Sequence, residues 1–73
     1  MTDKNEYQSR VAGLLKAELK RAGVTYGQLA EKLGEMGIQE NALNIGNKLS
    51  RGKFSAVFLV QCLDAIGVSH LRL

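Results

Sequence analysis

The amino-acid sequence predicts an all-α fold, on the strength of three observations. The chain has eight glycines and no proline, a composition that favours helices separated by glycines, because proline breaks helices and is common in turns. Aromatic residues make up only 5% of the chain, and β-branched residues, which also favour strands, are sparse. Apolar residues recur at helical spacing along most of the sequence. We therefore expect a bundle of four to five short helices.

The first predicted helix covers residues 7–22. Its apolar residues form one stripe of an α-helix: Val11, Leu14, Leu15, Leu19 and Ala22. Gly23 follows at a position typical of a helix C-terminus. Residues 1–6 are polar and are predicted to form a flexible N-terminus, so the folded domain is expected to span residues 7–73.

The second predicted helix begins with a capping box. Thr25 can accept a hydrogen bond from the backbone of Gln28, and the Gln28 side chain can bond back to the backbone of Thr25. The helix is predicted to bury three residues: Leu29, Ala30 and Leu33. Gly34 and Gly37 mark two alternative ends.

The third predicted helix covers residues 39–51 and stops at Gly52. Its apolar stripe consists of Ala42, Ile45 and Leu49. A polar stripe runs beside it: Asn41, Asn44, Lys48 and Arg51. Gly46 lies inside the helix at a cost of about 1 kcal/mol relative to alanine. A residue that small would permit another helix to approach closely.

The fourth predicted helix follows the N-cap residue Ser55 and ends at Gly67. It is apolar on almost every side, with Gln61 and Asp64 as exceptions. Such a helix must be buried on nearly all sides. We therefore expect a central core helix, a subunit interface, or both. Residues 69–71 could begin one further turn.

Length and composition limit the class of protein. A chain of 73 residues has room for one domain. No apolar stretch approaches the roughly 20 residues of a membrane span, and no signal peptide is apparent. Cys62 is the single cysteine, which excludes an internal disulfide and a thiolate zinc cage. We expect a cytoplasmic protein without membrane contacts.

Catalysis has little support in the sequence. The only histidine, His70, lies among the last four residues, and Cys62 lies in the most hydrophobic helix, where a buried apolar role is favoured over a reactive thiol. Glu31 and Glu35 share a helix face, but a solvated surface explains them. The cysteine, histidine and acidic residues lack metal-ligand spacing. We expect no enzyme activity, metal, cofactor or small-molecule substrate.

The arrangement of the second and third helices favours double-stranded DNA as the partner. Two short helices that pack on a first helix and precede a buried fourth match the helix-turn-helix arrangement. The second helix of that motif lies in the major groove. A net charge of +3 and a pI near 9.3 are compatible with DNA binding but not diagnostic.

On this interpretation, the helix over residues 39–51 is the recognition helix. Amides pair with adenine and lysine pairs with guanine, so the candidate base-reading residues are Gln39, Asn41, Asn44, Asn47 and Lys48. Donors at helix ends can bind phosphate, so the candidate phosphate contacts are Thr25, Tyr26, Gln28, Arg51 and Lys53. Glu40 argues against the proposal, because a carboxylate repels phosphate unless it accepts from cytosine N4.

Simpler explanations remain open for these residues. Asparagines on a helix surface are often merely solvated, the cations could be a solubility patch, and capping already explains Thr25 and Gln28. The alternative function is a helical protein-interaction or assembly module that kept the fold without DNA affinity. The small net charge and Glu40 keep this alternative open.

Three segments resemble lambda-repressor-like (XRE/Cro-type) helix-turn-helix domains. Residues 24–34, with the sequence VTYGQLAEKLG, resemble the first helix of that motif. Residues 49–53, LSRGK, are similar to the segment that closes the recognition helix. Residues 65–69, AIGVS, resemble the family's usual end. The resemblance covers about residues 11–71 and extends to short uncharacterised bacterial proteins of this form.

The resemblance implies a sequence-specific transcriptional regulator. Because so small a domain offers little interface, we also expect a twofold homodimer, with the fourth helix or the chain ends at the interface. The chain departs from the family pattern in three places. Tyr26 stands where a phosphate-binding glutamine is usual, and Ser50 and Arg51 replace an acidic residue and an asparagine. The segment between Gly37 and Gly52 is about three residues longer than usual, which shifts the side chains that would face the groove.

Overall fold

The computed structural model describes residues 3–73, with side chains from Glu6 onward, and it contains no strand over that range. Four helices make up the fold: α1 (Asp3–Ala22), α2 (Tyr26–Glu35), α3 (Ala42–Arg51) and α4 (Ala56–Ala65). The predicted all-α class and a count of four helices are therefore confirmed. None of the helices described over residues 3–73 combines the length and apolarity that a membrane span requires.

Helix boundaries differ from the prediction at three places. α1 starts at Asp3, so it includes part of the segment predicted to be flexible; residues 1–2 lie outside the described residues. The predicted start of the third helix at residue 39 is wrong, because Asn41 has extended backbone (φ −141°, ψ 164°) and caps a helix that begins at Ala42. No further helical turn forms over residues 69–71.

Side-chain caps start the helices where the sequence places them. The capping box of α2 is confirmed: the Thr25 N–H donates to Gln28 Oε1 at 2.9 Å, and the Gln28 N–H donates to Thr25 Oγ1 at 3.1 Å. The Phe58 N–H donates to Ser55 Oγ at 3.0 Å, which caps α4. Each bond satisfies a backbone donor that the first helical turn leaves without an intrahelical partner.

Two glycines show what ends the helices. Of the two alternatives after α2, the chain uses Gly37 (φ 84°), where Ile38 N–H bonds back to the Leu33 carbonyl at 2.9 Å. Gly52 ends α3 with φ 66°. A Cβ at Gly52 would overlap the backbone carbonyl of Gln8, so α1 packs directly against the end of α3. Gly52 is required for both its backbone conformation and its size.

The core consists of one i, i+4 pair from each helix. The buried cluster is Leu15, Leu19, Leu29, Leu33, Ile45, Leu49, Phe58 and Cys62. α3 and α4 each pack on both α1 and α2. Full burial of a leucine side chain contributes about 1.5–3 kcal/mol, so these pairs dominate the stability of the fold.

The predicted apolar stripes are confirmed at their centres and wrong at their edges. Ala22 and Ala42 are exposed, and Ala30 is only half-buried. Ala12, which the first stripe omitted, is buried. The core-facing side of α1 is thus rotated by a fraction of a turn from the predicted stripe, because α3 and α4 both pack against it.

The composition of α4 predicted burial on nearly all sides, but within the single chain only one side of the helix is buried. Phe58 and Cys62 face the core, whereas Val57 and Val60 are 65% and 55% exposed. The single chain therefore covers one side of this apolar helix and leaves the other open.

Candidate nucleic-acid interface

α3 presents a mainly polar face to solvent. Ile45 and Leu49 are buried, and this turns the opposite side of the helix outward. The exposed residues there, which we call the α3 outer face, are Leu43, Asn44, Asn47, Ser50 and Arg51. Their spacing of three and four residues makes them neighbours on one surface.

Three of the predicted base-reading residues lie off this face: Gln39, Asn41 and Lys48. Gln39 is exposed but belongs to the connection before α3. Asn41 caps the helix, with its side-chain Oδ1 accepting the Asn44 N–H at 2.8 Å. The connection over residues 36–41 is longer than the three- or four-residue turn of a typical helix-turn-helix motif. The extra residues that the sequence shows between Gly37 and Gly52 thus lie in the connection before α3 and do not lengthen the helix.

Lys48 is partly exposed, and its ammonium group is turned toward the protein. Its Nζ donates to Glu40 Oε2 at 2.5 Å and lies 4.3 Å from the centroid of the Phe58 ring. The Glu40 side chain is 9% exposed, and its Oε1 is buried without a hydrogen-bond partner. The lysine charge is therefore compensated internally, and the carboxylate expected to repel phosphate is withdrawn from the surface. Sequence spacing did not reveal this pair, because it joins the connection before α3 to the second turn of that helix.

Arg51 and Lys53 lie at the exposed end of α3. Together with Asn44, Asn47 and Lys48 they line one shallow groove. The fold thus brings together one set of predicted base-reading and phosphate-binding residues. Arg51 and Lys53 are both exposed, so their charges are available to a phosphate.

The start of α2 holds the other predicted phosphate contacts. Thr25 and Gln28 are exposed, and their capping oxygens are engaged with each other's backbone. The Thr25 hydroxyl and the Gln28 amide can still donate hydrogen bonds outward. Tyr26 is half-buried, and its ring carbons lie 3.6 Å from the position of a Cβ at Gly46. The neighbour of Gly46 is thus a side chain of α2 at ordinary van der Waals distance, which leaves room for a Cβ at this position.

Two lysines beside this helix start were not singled out in the sequence. Lys16 and Lys20 of α1 line a groove with Thr25 and Tyr26. Both are exposed and spaced i, i+4, which is the only local signal that they share a face. Because a helix N-terminus carries partial positive charge, the groove combines two ammonium groups with a favourable dipole.

The cysteine and the histidine, the two side chains considered for catalysis, lie outside the α3 outer face and the two lysine-lined grooves. Cys62 is buried, as predicted, and burial raises the pKa of its thiol to about 11; the Glu40 carboxylate adds to the rise and Lys48 opposes it. The thiol is therefore protonated at neutral pH. His70 is exposed, and its Nδ1 lies 3.1 Å from Ser69 Oγ. Over residues 3–73, no three His, Cys, Asp or Glu side chains are grouped so as to hold a metal ion.

Comparison with known proteins identifies one family. The family described as "Domain of unknown function (DUF6471)" matches residues 7–71, which is nearly the whole chain. Neither the curated proteins nor the solved structures provide a match.

Proposed function

Because the chain belongs to the DUF6471 family, whose function is unknown, we propose a function from its own surface: sequence-specific binding of double-stranded DNA by a small transcriptional regulator. In this proposal α2 and α3 form a lambda-repressor-like helix-turn-helix motif, and α3 is the recognition helix.

The α3 outer face is the observation that carries the proposal. It is an exposed helix face in which Asn44, Asn47 and Arg51 project from the side opposite the buried stripe. An α-helix fits the major groove, where asparagine pairs bidentately with adenine. The proposal therefore moves the base-reading role toward Asn44 and Asn47, and Arg51, at the end of the helix, keeps the phosphate-contacting role that the sequence predicts. Gln39 remains a candidate from the connection, whereas Asn41 and Lys48 already have partners within the protein.

Cations on both sides of the α2–α3 contact supply the proposed phosphate contacts. Arg51 and Lys53 line the groove at the end of α3. Lys16 and Lys20 line the groove at the start of α2, beside Thr25 and Tyr26. Each cation that neutralises a phosphate releases condensed counterions, which makes binding favourable and strongly dependent on salt.

The open side of α4 supports the homodimer that the proposal requires. Val57 and Val60 form an exposed apolar surface with Ala56 beside them. A twofold pairing through this surface would give two copies of α3, and a separation of about 34 Å would match successive major grooves. Val57 and Val60 would then be buried in the dimer, as the composition of α4 indicates.

A salt titration on a duplex selected from a random library tests the proposal. We expect affinity to fall by several orders of magnitude between about 50 and 200 mM salt. Replacing Arg51 with glutamine should lower the slope of log K against log salt by about one. Arg72→Gln makes the same charge change in the C-terminal segment and should lower the slope less. Absence of duplex binding at 50 mM salt would refute the proposal.

The apolar side of α4 also favours a second candidate, a protein-interaction or assembly module. A domain of this kind would self-associate or bind another protein through Val57 and Val60. Its exposed lysine and arginine side chains would then have no role in binding. It is distinguished by stable oligomers that bind no duplex at low salt. The buried, protonated Cys62 thiol gives no support to an enzyme.

A further inference from the structure

Leu43 is the apolar member of the α3 outer face, and neither the sequence motifs nor the proposed phosphate contacts explain it. Its side chain is 73% exposed, although α3 buries Ile45 and Leu49 efficiently. It lies next to Asn44 and one turn before Asn47, on the surface proposed to face DNA. A leucine here contributes little to the core and is placed where a partner of α3 would contact it.

The position of Leu43 along α3 is also informative. The helix begins at Ala42 after the Asn41 cap, so Leu43 is its second residue. The N-terminal residues of a recognition helix are those that contact base edges. The side chains of Leu43 and Asn47 are spaced i, i+4, with Cβ atoms about 5–6 Å apart. Leu43 and Asn47 are thus placed to contact neighbouring base pairs.

Only one base offers an apolar group in the major groove. Thymine presents its C5-methyl group there, beside the O4 acceptor, whereas an exposed leucine can neither donate nor accept a hydrogen bond. Asn44 and Asn47, next to Leu43, have the amide groups that pair with adenine. Glu40, the acidic residue before α3, is held inward by Lys48 and does not oppose the approach of DNA.

We propose that Leu43 packs on the 5-methyl group of a thymine, and that each half-site contains this thymine next to an adenine contacted by Asn44 or Asn47. The inference rests on the proposed function. It names a specificity-determining residue and a feature of the target sequence.

Replacement of thymine by uracil tests the contact, because it removes the methyl group and leaves base pairing intact. The probe is the duplex selected by the unmodified protein, with each thymine replaced in turn. At one thymine in each half-site, we expect uracil to weaken binding about fourfold, the effect of exposing one methyl-sized group. Leu43→Ala should weaken binding to the original duplex by a similar factor and be insensitive to uracil at that position.

Leu73→Ala is the matched control, since Leu73 is 82% exposed and lies outside α3. It should retain the full uracil effect. Thermal unfolding of both variants should resemble that of the parent protein, because neither leucine side chain is buried.

The outcomes separate this inference from the proposed function. One outcome is that the protein selects a sequence, but every uracil replacement weakens the binding of Leu43→Ala as much as that of the parent protein. The thymine contact is then refuted and DNA binding stands. If Leu43→Ala alters only the oligomeric state, Leu43 belongs to a protein interface and the inference is again refuted. If the parent protein binds no duplex, the proposed function itself fails.

Discussion

α3 and α4 are alike in construction and opposite in surface chemistry. Each has ten residues, begins at a side-chain cap and buries one i, i+4 pair. Outside the core, α3 exposes amides and a guanidinium around the single apolar residue Leu43, whereas α4 exposes Val57 and Val60. The end of α3 is pressed against α1 at Gly52, but a Cβ at Gly67 after α4 would meet open space.

The contrast shows how a small domain can present two surfaces of different chemistry. The core needs only one stripe of each helix, which leaves the remaining residues free to vary without loss of the fold. Polar residues on α3 suit a hydrogen-bonding, charged partner, and valines on α4 suit an apolar one. Substitutions in and beside the two helices separate the residues that the fold needs from those that a partner would need.

Gly52→Ala should destabilise the protein by more than about 3 kcal/mol, which is a large part of the stability of a small domain. The alanine would add backbone strain at positive φ and a clash with the Gln8 carbonyl. Gly67→Ala adds only the strain, since its surroundings are open, and should cost about 1 kcal/mol. Urea unfolding measures both, and equal losses would show that the two helix ends are equivalent.

Raising the pH should destabilise the native state through Cys62. Its native thiol pKa of about 11 lies above the ordinary value, so stability is complete below the ordinary pKa and falls as the pH rises toward 11. The loss should be on the order of 2 kcal/mol. Unfolding curves between pH 8 and pH 11 should show this loss in the parent protein and a smaller one in Cys62→Ala. Parallel pH profiles would contradict a buried thiol.

Val60→Glu should weaken the proposed dimer by about ten- to a hundredfold in Kd, because it places a carboxylate in an apolar interface. Ser50→Glu puts the same charge on the α3 outer face. It should leave the dimer intact and abolish duplex binding through repulsion of phosphate. Analytical ultracentrifugation and duplex titration measure the two effects. A monomer formed by Ser50→Glu would show that α3 is the subunit interface.

Lys48→Met should destabilise the fold by about 1–2 kcal/mol, since it leaves the nearly buried Glu40 carboxylate without a counter-charge. Glu40→Gln should cost less, because Lys48 is 37% exposed and can extend into water. The double variant should recover part of the loss of the lysine variant. Free energies of unfolding for the three variants form the required cycle, and strictly additive losses would argue against the pair.

The sequence alone determined the features that depend on near neighbours in the chain. The capping box at Thr25, the Ser55 cap and the core pairs of α1, α2 and α3 are set by residues three or four positions apart, so their signals are complete within a short window. The all-α class and the ends of α1 and α4 follow from the same local interactions.

Only the tertiary structure decided which exposed residues can meet a partner. The start of α3, the inward pairing of Lys48 with Glu40, the Tyr26–Gly46 contact and the Gln8–Gly52 contact join segments that the sequence does not place together. Leu43 likewise stood out only once α3 had been oriented by Ile45 and Leu49. The physical reason is that a charge or an apolar group acts according to what surrounds it in space, and the path of the connecting segments sets those surroundings.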